Sequence, residues 1–387
     1  MSKLINKSFI IMAALFAAMA CTDVNIDIEG GQDDGSDFSS LHIGYTFSWK
    51  MTVAYNINIS STKGTEFSFF TEEACENLLI SGNVPAGETV TVTVNVPEGT
   101  ECIYLKYVSE DGPTVKPIQL TQTKAGEASV LITDAVETGY DDDWRLQSFV
   151  PGKDKNGTLL FEDLYPGIGD YDFNDLVVYY NIANTKSYGF TSNMTDESVI
   201  TFTIKSKGGS IQSDFGVELT GIPASFAAQY ATVTVDGEPV EGALKTSGDA
   251  SAVFMVSTDG GKYDTEKKMS IVDKTVKITM SKDNLDDLVS ATYFSSLFDM
   301  DNINWFMNVN GTEIHLKGFK ATALAPSQAS DTFASKDNLV WGLNVPVELI
   351  PAKEKVDFLL AYPDFRKWVE SDSYVWYNTP VTSNLAW

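Results

Sequence analysis

The sequence predicts a mainly β protein of two tandem β-sandwich domains, the second larger and carrying one or two short helices. Three observations predict it. Short apolar runs alternate with a period of two, and Gly-, Pro- and Asn-rich turns separate them at short intervals. Apolar residues make up 43% of 387, enough to bury a sizeable core and to exclude a disordered chain. That length accommodates two to three domains at roughly 100–200 residues each.

The first domain is read over residues 41–136. Its clearest element is Thr89 to Val96 (TVTVTVNV), a strict alternation that makes a half-buried strand. Tyr55 to Ile59, Glu66 to Phe70, Ile103 to Val108 and Val130 to Thr133 add similar runs. Pro85-Ala86-Gly87, Pro97-Glu98-Gly99 and Asp111-Gly112-Pro113 punctuate them. The spacing suits an immunoglobulin-like sandwich, with one small helix expected near Glu72 to Leu79. Residues 137–157, acidic from Glu137 to Asp143 and turning at Pro151-Gly152, read as a linker.

The second domain is read over residues 158–387. Leu176 to Tyr180, Val199 to Ile204, Thr232 to Val235 and Thr275 to Met280 are strands. Asp236-Gly237 follows the run ATVTV, and Asn310-Gly311 lies between WFMNV and TEIHL; each supplies the pair of positive φ angles that a two-residue hairpin turn needs. Asp283 to Phe298 and Asp364 to Glu370 are the helix candidates. Phe365, Trp368 and Val369 have the spacing of a helix face packed on a sheet.

Residues 1–20 read as a signal peptide. Lys3 and Lys7 precede the apolar run Phe9 to Ala20, too short for the ~20 residues a membrane-spanning helix needs. Ala18-Met19-Ala20-Cys21 is a loose form of the bacterial lipoprotein cleavage site, with Ala18 where Leu is usual. Cys21 is the expected lipidation site; the competing reading is ordinary secretion. Residues 21–40 are acidic and rich in Gly and Ser, as expected of a flexible, self-repelling tether. Acidic residues just after the lipidated Cys resemble the signal that sends lipoproteins of Bacteroidota to the outer face of the outer membrane, whereas a plain spacer would leave the protein periplasmic. Cys75 and Cys102 are left as either a disulfide or two free thiols.

Charge excludes several classes. Twenty-seven Lys and Arg against 53 Asp and Glu give −26. That opposes nucleic-acid binding and basic-patch docking on anionic lipid. Two His and three Cys are too few for a three-His zinc site or a zinc ribbon. HExxH, GxGxxG, GxSxG and P-loop signatures are absent.

The densest candidate site is FEDLYPGIGDYDFNDLVVY, Phe161 to Tyr179. Asp170, Asp172 and Asn174 recur at every second residue, with Asp175 next and Glu162 and Asp163 just upstream. Ca²⁺ takes six to eight oxygen ligands, and crowded carboxylates without a cation repel one another. The expected ligands are Asp163, Asp170, Asp172, Asn174 and Asp175, around a structural Ca²⁺. The spacing is not that of an EF-hand. Turn capping by Asp and Asn side chains is the competing account. Asp154, Asn156 and Gly157 form a weaker acidic turn nearby.

The stretch Asn156 to Tyr180 resembles the signature of the LruC-type domain of bacterial outer-membrane surface lipoproteins. IHLKG (Ile314 to Gly318), LVWGLNVP (Leu339 to Pro346) and the segment Lys355 to Trp376 agree with it, so the resemblance covers about residues 157–387. It implies an outer-membrane lipoprotein with no assigned catalytic activity, and an acidic motif beside a core strand.

Trp305, Trp341, Trp368, Trp376 and Trp387 all lie in the last quarter. They are expected in the core, although exposed rings would suit glycan stacking. His315 alternates with Ile314 and Leu316 and is expected to be exposed. The functional expectation is a non-enzymatic, lipid-anchored surface protein with a structural calcium site, acting in adhesion or in binding an extracellular protein or glycan, and not nucleic acid. The alternative is a carbohydrate-binding accessory protein of a glycan-uptake system.

Overall fold

The computed structural model describes residues 38–120, 126–138, 144–188, 195–283, 288–371 and 376–387. The signal peptide, Cys21 and tether residues 21–37 lie outside the described residues. Among the described residues no helix is long and apolar enough to cross a membrane.

The fold is mainly β. The first region holds β1 (Thr52–Ser61), β2 (Thr65–Phe70), β3 (Leu78–Val84), β4 (Thr89–Pro97), β5 (Cys102–Ser109), β6 (Gly112–Gln119) and β7 (Glu127–Ile132). β4, β1 and β7 form one sheet, and β3, β2, β5 and β6 run together in another. Alternation dictates the packing. In β4, Val90, Val92, Val94 and Val96 are buried, and they share a cluster with Ile57 and Ile59 of β1 and Phe67 and Phe69 of β2. Each such side chain contributes about 1.5–3 kcal/mol by leaving water.

The expected helix near Glu72 is instead a tight turn leading into β3. The Glu72 carboxylate accepts from the amides of Glu76 (2.6 Å) and Asn77 (2.7 Å), which a helix there would have used otherwise. The segment read as a linker is also structured. β8 (Trp144–Val150) lies within it, paired with β3 at Ile80 and Ser81 and with a longer strand of the second region. Its alternation was hidden by one short polar-apolar run, LQSFV, beside an acidic stretch.

The second region begins with β9 (Gly157–Phe161), β10 (Leu176–Tyr188), β11 (Thr195–Lys207) and β12 (Ser213–Pro223), followed by helix α1 (Ala224–Tyr230). Then come β13 (Ala231–Val235), β14 (Glu238–Pro239), β15 (Ser251–Ser257), β16 (Lys262–Asp264) and β17 (Met269–Asp283). Helix α2 (Leu288–Ser296), β18 (Ile303–Val309), β19 (Thr312–His315), β20 (Gly342–Val345), α3 (Phe358–Ala361) and α4 (Phe365–Ser371) complete it. β15-β12-β18-β19 face the sheet that contains β13, β17, β11, β10 and β9, with β20 beside β9. Both two-residue turns have the expected backbone: φ is 51° and 87° at Asp236-Gly237, and 51° and 89° at Asn310-Gly311.

β10 runs through the middle. Its first half pairs with β9 and its second half with β8. LVVYY, an unbroken apolar run, is buried on both faces, as such runs are when covered twice. Leu176, Val178 and Tyr180 enter the core between the two sheets, with Phe215 and Trp305. Val177 and Tyr179 enter a second core, covered by α3, α4 and residues 38–51. Phe38 is fully buried there, so the tether as read from sequence is too long at its end. Leu41, Trp49 and Met51 belong to the same core and not to the first region.

His315 is fully buried, contrary to expectation. It stacks on Phe306 (centroids 4.9 Å) and lies 4.7 Å from the Phe333 ring, because the chain after β19 folds back over that face. Its ring nitrogens lie 2.9 Å from Glu313 Oε2 and 2.7 Å from Asn304 Oδ1.

Candidate metal centre

The acidic loop, residues 162–175, is strung between two adjacent strands. β9 and β10 fix its ends, and the Glu162 amide donates to Trp341 O (2.9 Å). Inside the loop Tyr171 and Phe173 hold left-handed φ angles of 51° and 52°, each costing about 1–3 kcal/mol for a bulky residue. Both rings are buried with Phe38 and Phe358. Their burial offsets the backbone strain and leaves Asp170, Asp172 and Asn174, which alternate with them, to meet the acidic groups.

Glu162 is the hub of the loop and is fully buried. Its Oε1 accepts from Phe173 N (2.6 Å) and its Oε2 from Tyr171 N (3.3 Å). Asp172 Oδ1 accepts from Asn174 N (3.1 Å), and its Oδ2 from Lys355 N (2.7 Å). Asp175 Oδ2 accepts from Asp163 N (2.9 Å). One oxygen each from Glu162, Asp170 and Asp172 lies within 4.8 Å of the others. Two ligands of one Ca²⁺ at about 2.3–2.6 Å stand no farther apart than about twice that distance, so these three can share one ion.

The bend after β11 closes the other side. A Cβ at Gly208 would collide with Asn174 Oδ1 and come within 2.9 Å of Glu354 Oε2. A Cβ at Gly209 would collide with Asp163 Oδ2 and come within 2.7 Å of Asp175 Oδ1. Two bare backbone residues thus leave room for four side-chain oxygens. Asn174 is fully buried; its Nδ2 donates to Ala352 O (3.2 Å), while its Oδ1 has no hydrogen-bond partner among the described residues. A buried carbonyl oxygen without a partner costs roughly 1–3 kcal/mol.

The electrostatics agree with crowding. Burial, then Asp172 and Asp175, holds the Glu162 carboxyl well above the usual range. Burial, then Asp170, pushes Asp172 up to about 9. Burial, then Asp163, pushes Asp175 up to about 7. Burial also raises Asp163 and Glu354, with Asp170 adding repulsion in both. Lys207 partly offsets this for Asp163, as Lys355 and Lys268 do for Glu354.

All five residues singled out from the sequence, Asp163, Asp170, Asp172, Asn174 and Asp175, gather here. Glu162 joins them, placed by the end of β9 just upstream. Glu354 does too, and no local pattern announced it: it arrives from the chain after β20 through long-range packing. The turn-capping account is also met, since Asp172 caps Asn174 N, but it leaves Asn174 Oδ1 unexplained. The Asp154-Asn156-Gly157 turn serves differently: Asn156 Nδ2 donates to Glu348 (2.9 Å), and Gly157 lies under the Tyr180 ring, 2.5 Å from where a Cβ would stand. Cys75 and Cys102 are both free thiols.

A family described as a domain of unknown function, DUF4842, matches residues 193–377. That span contains Gly208, Gly209 and Glu354 but not the acidic loop. No curated protein matches the chain. A crystal structure from Bacteroides ovatus, named as a "putative lipoprotein", matches with a TM-score of 0.65 at 21% identity, over 82% of this chain and 98% of that one; the likeness shows a shared fold. The major pilin SpaA of Corynebacterium diphtheriae matches with a TM-score of 0.21 at 11% identity, over 77% and 69% of the two chains. The RrgB pilus protein of Streptococcus pneumoniae matches with a TM-score of 0.19 at 13% identity, over 69% and 50%. Neither pilin bears on the fold.

Proposed function

We propose that this is a non-enzymatic surface lipoprotein of the LruC type, held off the outer membrane by a lipid on Cys21 and an acidic tether, whose second sandwich is locked by structural calcium. Its role is adhesion, or the binding of an extracellular protein or glycan. The ligands are Asp163, Asp170, Asp172, Asn174 and Asp175, with Glu162 and Glu354 completing the oxygen set.

The observation that carries the calcium reading is Asn174 Oδ1: buried, without a hydrogen-bond partner among the described residues, and set beside Glu354 Oε2 at Gly208. A cluster of hard side-chain oxygens suits Ca²⁺ and not a softer metal. The non-enzymatic reading is supported by how the carboxylates are used: both oxygens of Glu162 and of Asp172 already accept backbone amides. The lipoprotein reading is supported by the sequence at Ala18 to Cys21 and by the fold shared with the Bacteroides ovatus protein. Four of the five C-terminal Trp are buried, at 1–2% exposure, so they form no sugar-stacking face.

Melting in calcium chloride and in EDTA tests the calcium reading. Binding at 100 times Kd stabilises by about 2.7 kcal/mol, a rise of several degrees in Tm. Asp172→Ala should abolish the rise. Unchanged calcium-dependent melting in that variant removes the calcium site.

A further inference from the structure

Resting on the reading that this protein binds an extracellular protein, we propose that its docking site is a cleft between the start of β1 and the turn before β18, and that the cleft takes an extended peptide carrying a short aliphatic side chain beside Lys or Arg. Two cavities make the cleft. The inner one, of about 70 Å³, is partly open and lined by the rings of Trp49, Tyr180, Trp305 and Phe319 together with Leu316. The outer one, of about 270 Å³, lies over Thr52 and Asn95 and is walled by Lys50, Glu98, Asp299 and Asp301. Lys50, Thr52, Met300 and Asp301 border both cavities, so the two are continuous. Hydrogen bonds fix the walls. Asp299 Oδ1 accepts from Asp301 N (3.0 Å), and Asn302 Nδ2 donates to Ser296 O (2.9 Å). Trp49 Nε1 donates to Asn338 O (3.1 Å), and Tyr180 OH to Asn344 Oδ1 (2.8 Å). Walls held in place before a partner arrives lose little freedom on binding.

Size, lining and charge select the occupant. An apolar cavity of about 150 Å³ holds a benzene ring, and the inner cavity is roughly half of that. It has room for the side chain of Val, Leu or Ile and not for a sugar ring. Its aromatic walls suit an aliphatic group, and Met300 at the junction can adapt to the group's shape. Three carboxylates and one ammonium wall the outer cavity. Lys50 Nζ donates to both oxygens of Asp301, at 2.6 and 2.8 Å, so the ammonium is engaged and the excess charge of the cleft is negative. The whole chain carries −26. Both charges attract a basic segment, and both oppose an acidic one or a second copy of this chain.

Met51 and Met300 both line the inner cavity, so carbon-13 labelled methionine methyls of the full-length protein report its filling by NMR. The peptide acetyl-Gly-Lys-Leu-Lys-Gly-amide is titrated beside two counterparts, one with Ala for Leu and one with Glu for both Lys. The basic Leu peptide should shift the Met300 methyl saturably, and each counterpart should bind at least about tenfold more weakly. Added salt should weaken the basic peptide. Met300→Trp fills the cleft and should abolish binding. Glu98→Gln combined with Asp299→Asn should weaken it about threefold or more and flatten the salt dependence. No saturable shift, or equal binding of the three peptides, overturns the proposal. So does saturation by maltotriose or diacetylchitobiose in place of the peptide, which makes the occupant a glycan. A shift that follows protein concentration alone overturns it too, because the occupant is then a second copy. If Met300→Trp does not fold, the charge variant and the Ala counterpart decide. Surface exposure is read separately, by protease treatment of intact cells that produce the full-length protein. Protection from the protease removes the adhesion reading, whereas a failed titration of a protein that is cut leaves that reading standing and removes only the cleft.

Discussion

Phe38 stacks on Tyr171, their ring centroids 4.7 Å apart and their planes at 24°. The first described residue of the chain thus packs on the loop that carries the acidic cluster. Phe38 N also donates to Asp357 Oδ2 (2.8 Å), three residues from Glu354. The end of the tether and the candidate metal centre therefore share one core, with Phe173, Phe358 and Phe365 around the Phe38 ring.

Phe38→Ala should destabilise the second region by about 3–5 kcal/mol, the range for emptying a buried Phe site. It should also weaken calcium binding, because Tyr171 loses the ring that holds its strained backbone. Denaturant unfolding and calcium titration read the two effects. A loss under 1 kcal/mol with unchanged affinity would sever the tether from the site.

Removing the metal should loosen a defined set of amides. In EDTA, hydrogen exchange should quicken at Tyr171, Phe173, Asn174 and Lys355, whose N–H groups all donate into the cluster. β1 to β7 have their own core and should be unaffected. Uniform protection with and without calcium contradicts a structural role for the ion.

His315 gives a pH dependence that is separate from the cluster. Burial lowers its midpoint below 6.5, against the opposing pull of the Glu313 carboxylate. The neutral ring is thus the form that folding favours. Its contribution is complete above the unfolded value of about 6.5 and is lost as pH falls through the lower folded midpoint. A proton NMR titration should place the midpoint below 6.5, and Glu313→Gln should move it lower still. A midpoint above 6.5 would mean that the ion pair outweighs burial.

Gly311→Ala tests the hairpin between β18 and β19. Its φ of 89° is strained for any residue with a Cβ, although nothing lies within 4 Å of that position. The loss should be about 1–2 kcal/mol by backbone strain alone. A neutral or stabilising effect in thermal melts would show that the turn relaxes to another type.

Much of this was legible in local pattern. Val90 to Val96 alternate, so their inward faces follow from the two-residue period. Asp-Gly and Asn-Gly fix the two turns because few other pairs take positive φ twice. Asp170, Asp172 and Asn174 announce a cluster because their spacing is written in one short loop. The sequence by itself determined the β character, these turns and the acidic loop, each of which depends on neighbours along the chain. Tertiary structure alone decided the rest. Phe38 enters a core formed mainly by residues 300 positions later in the chain. β8 completes a sheet whose partners flank it in space. His315 is covered by a segment that returns over it. Glu354 reaches the acidic loop only after the strands have paired. Those outcomes depend on which surfaces meet, and burial and charge between distant residues leave no periodic trace in sequence.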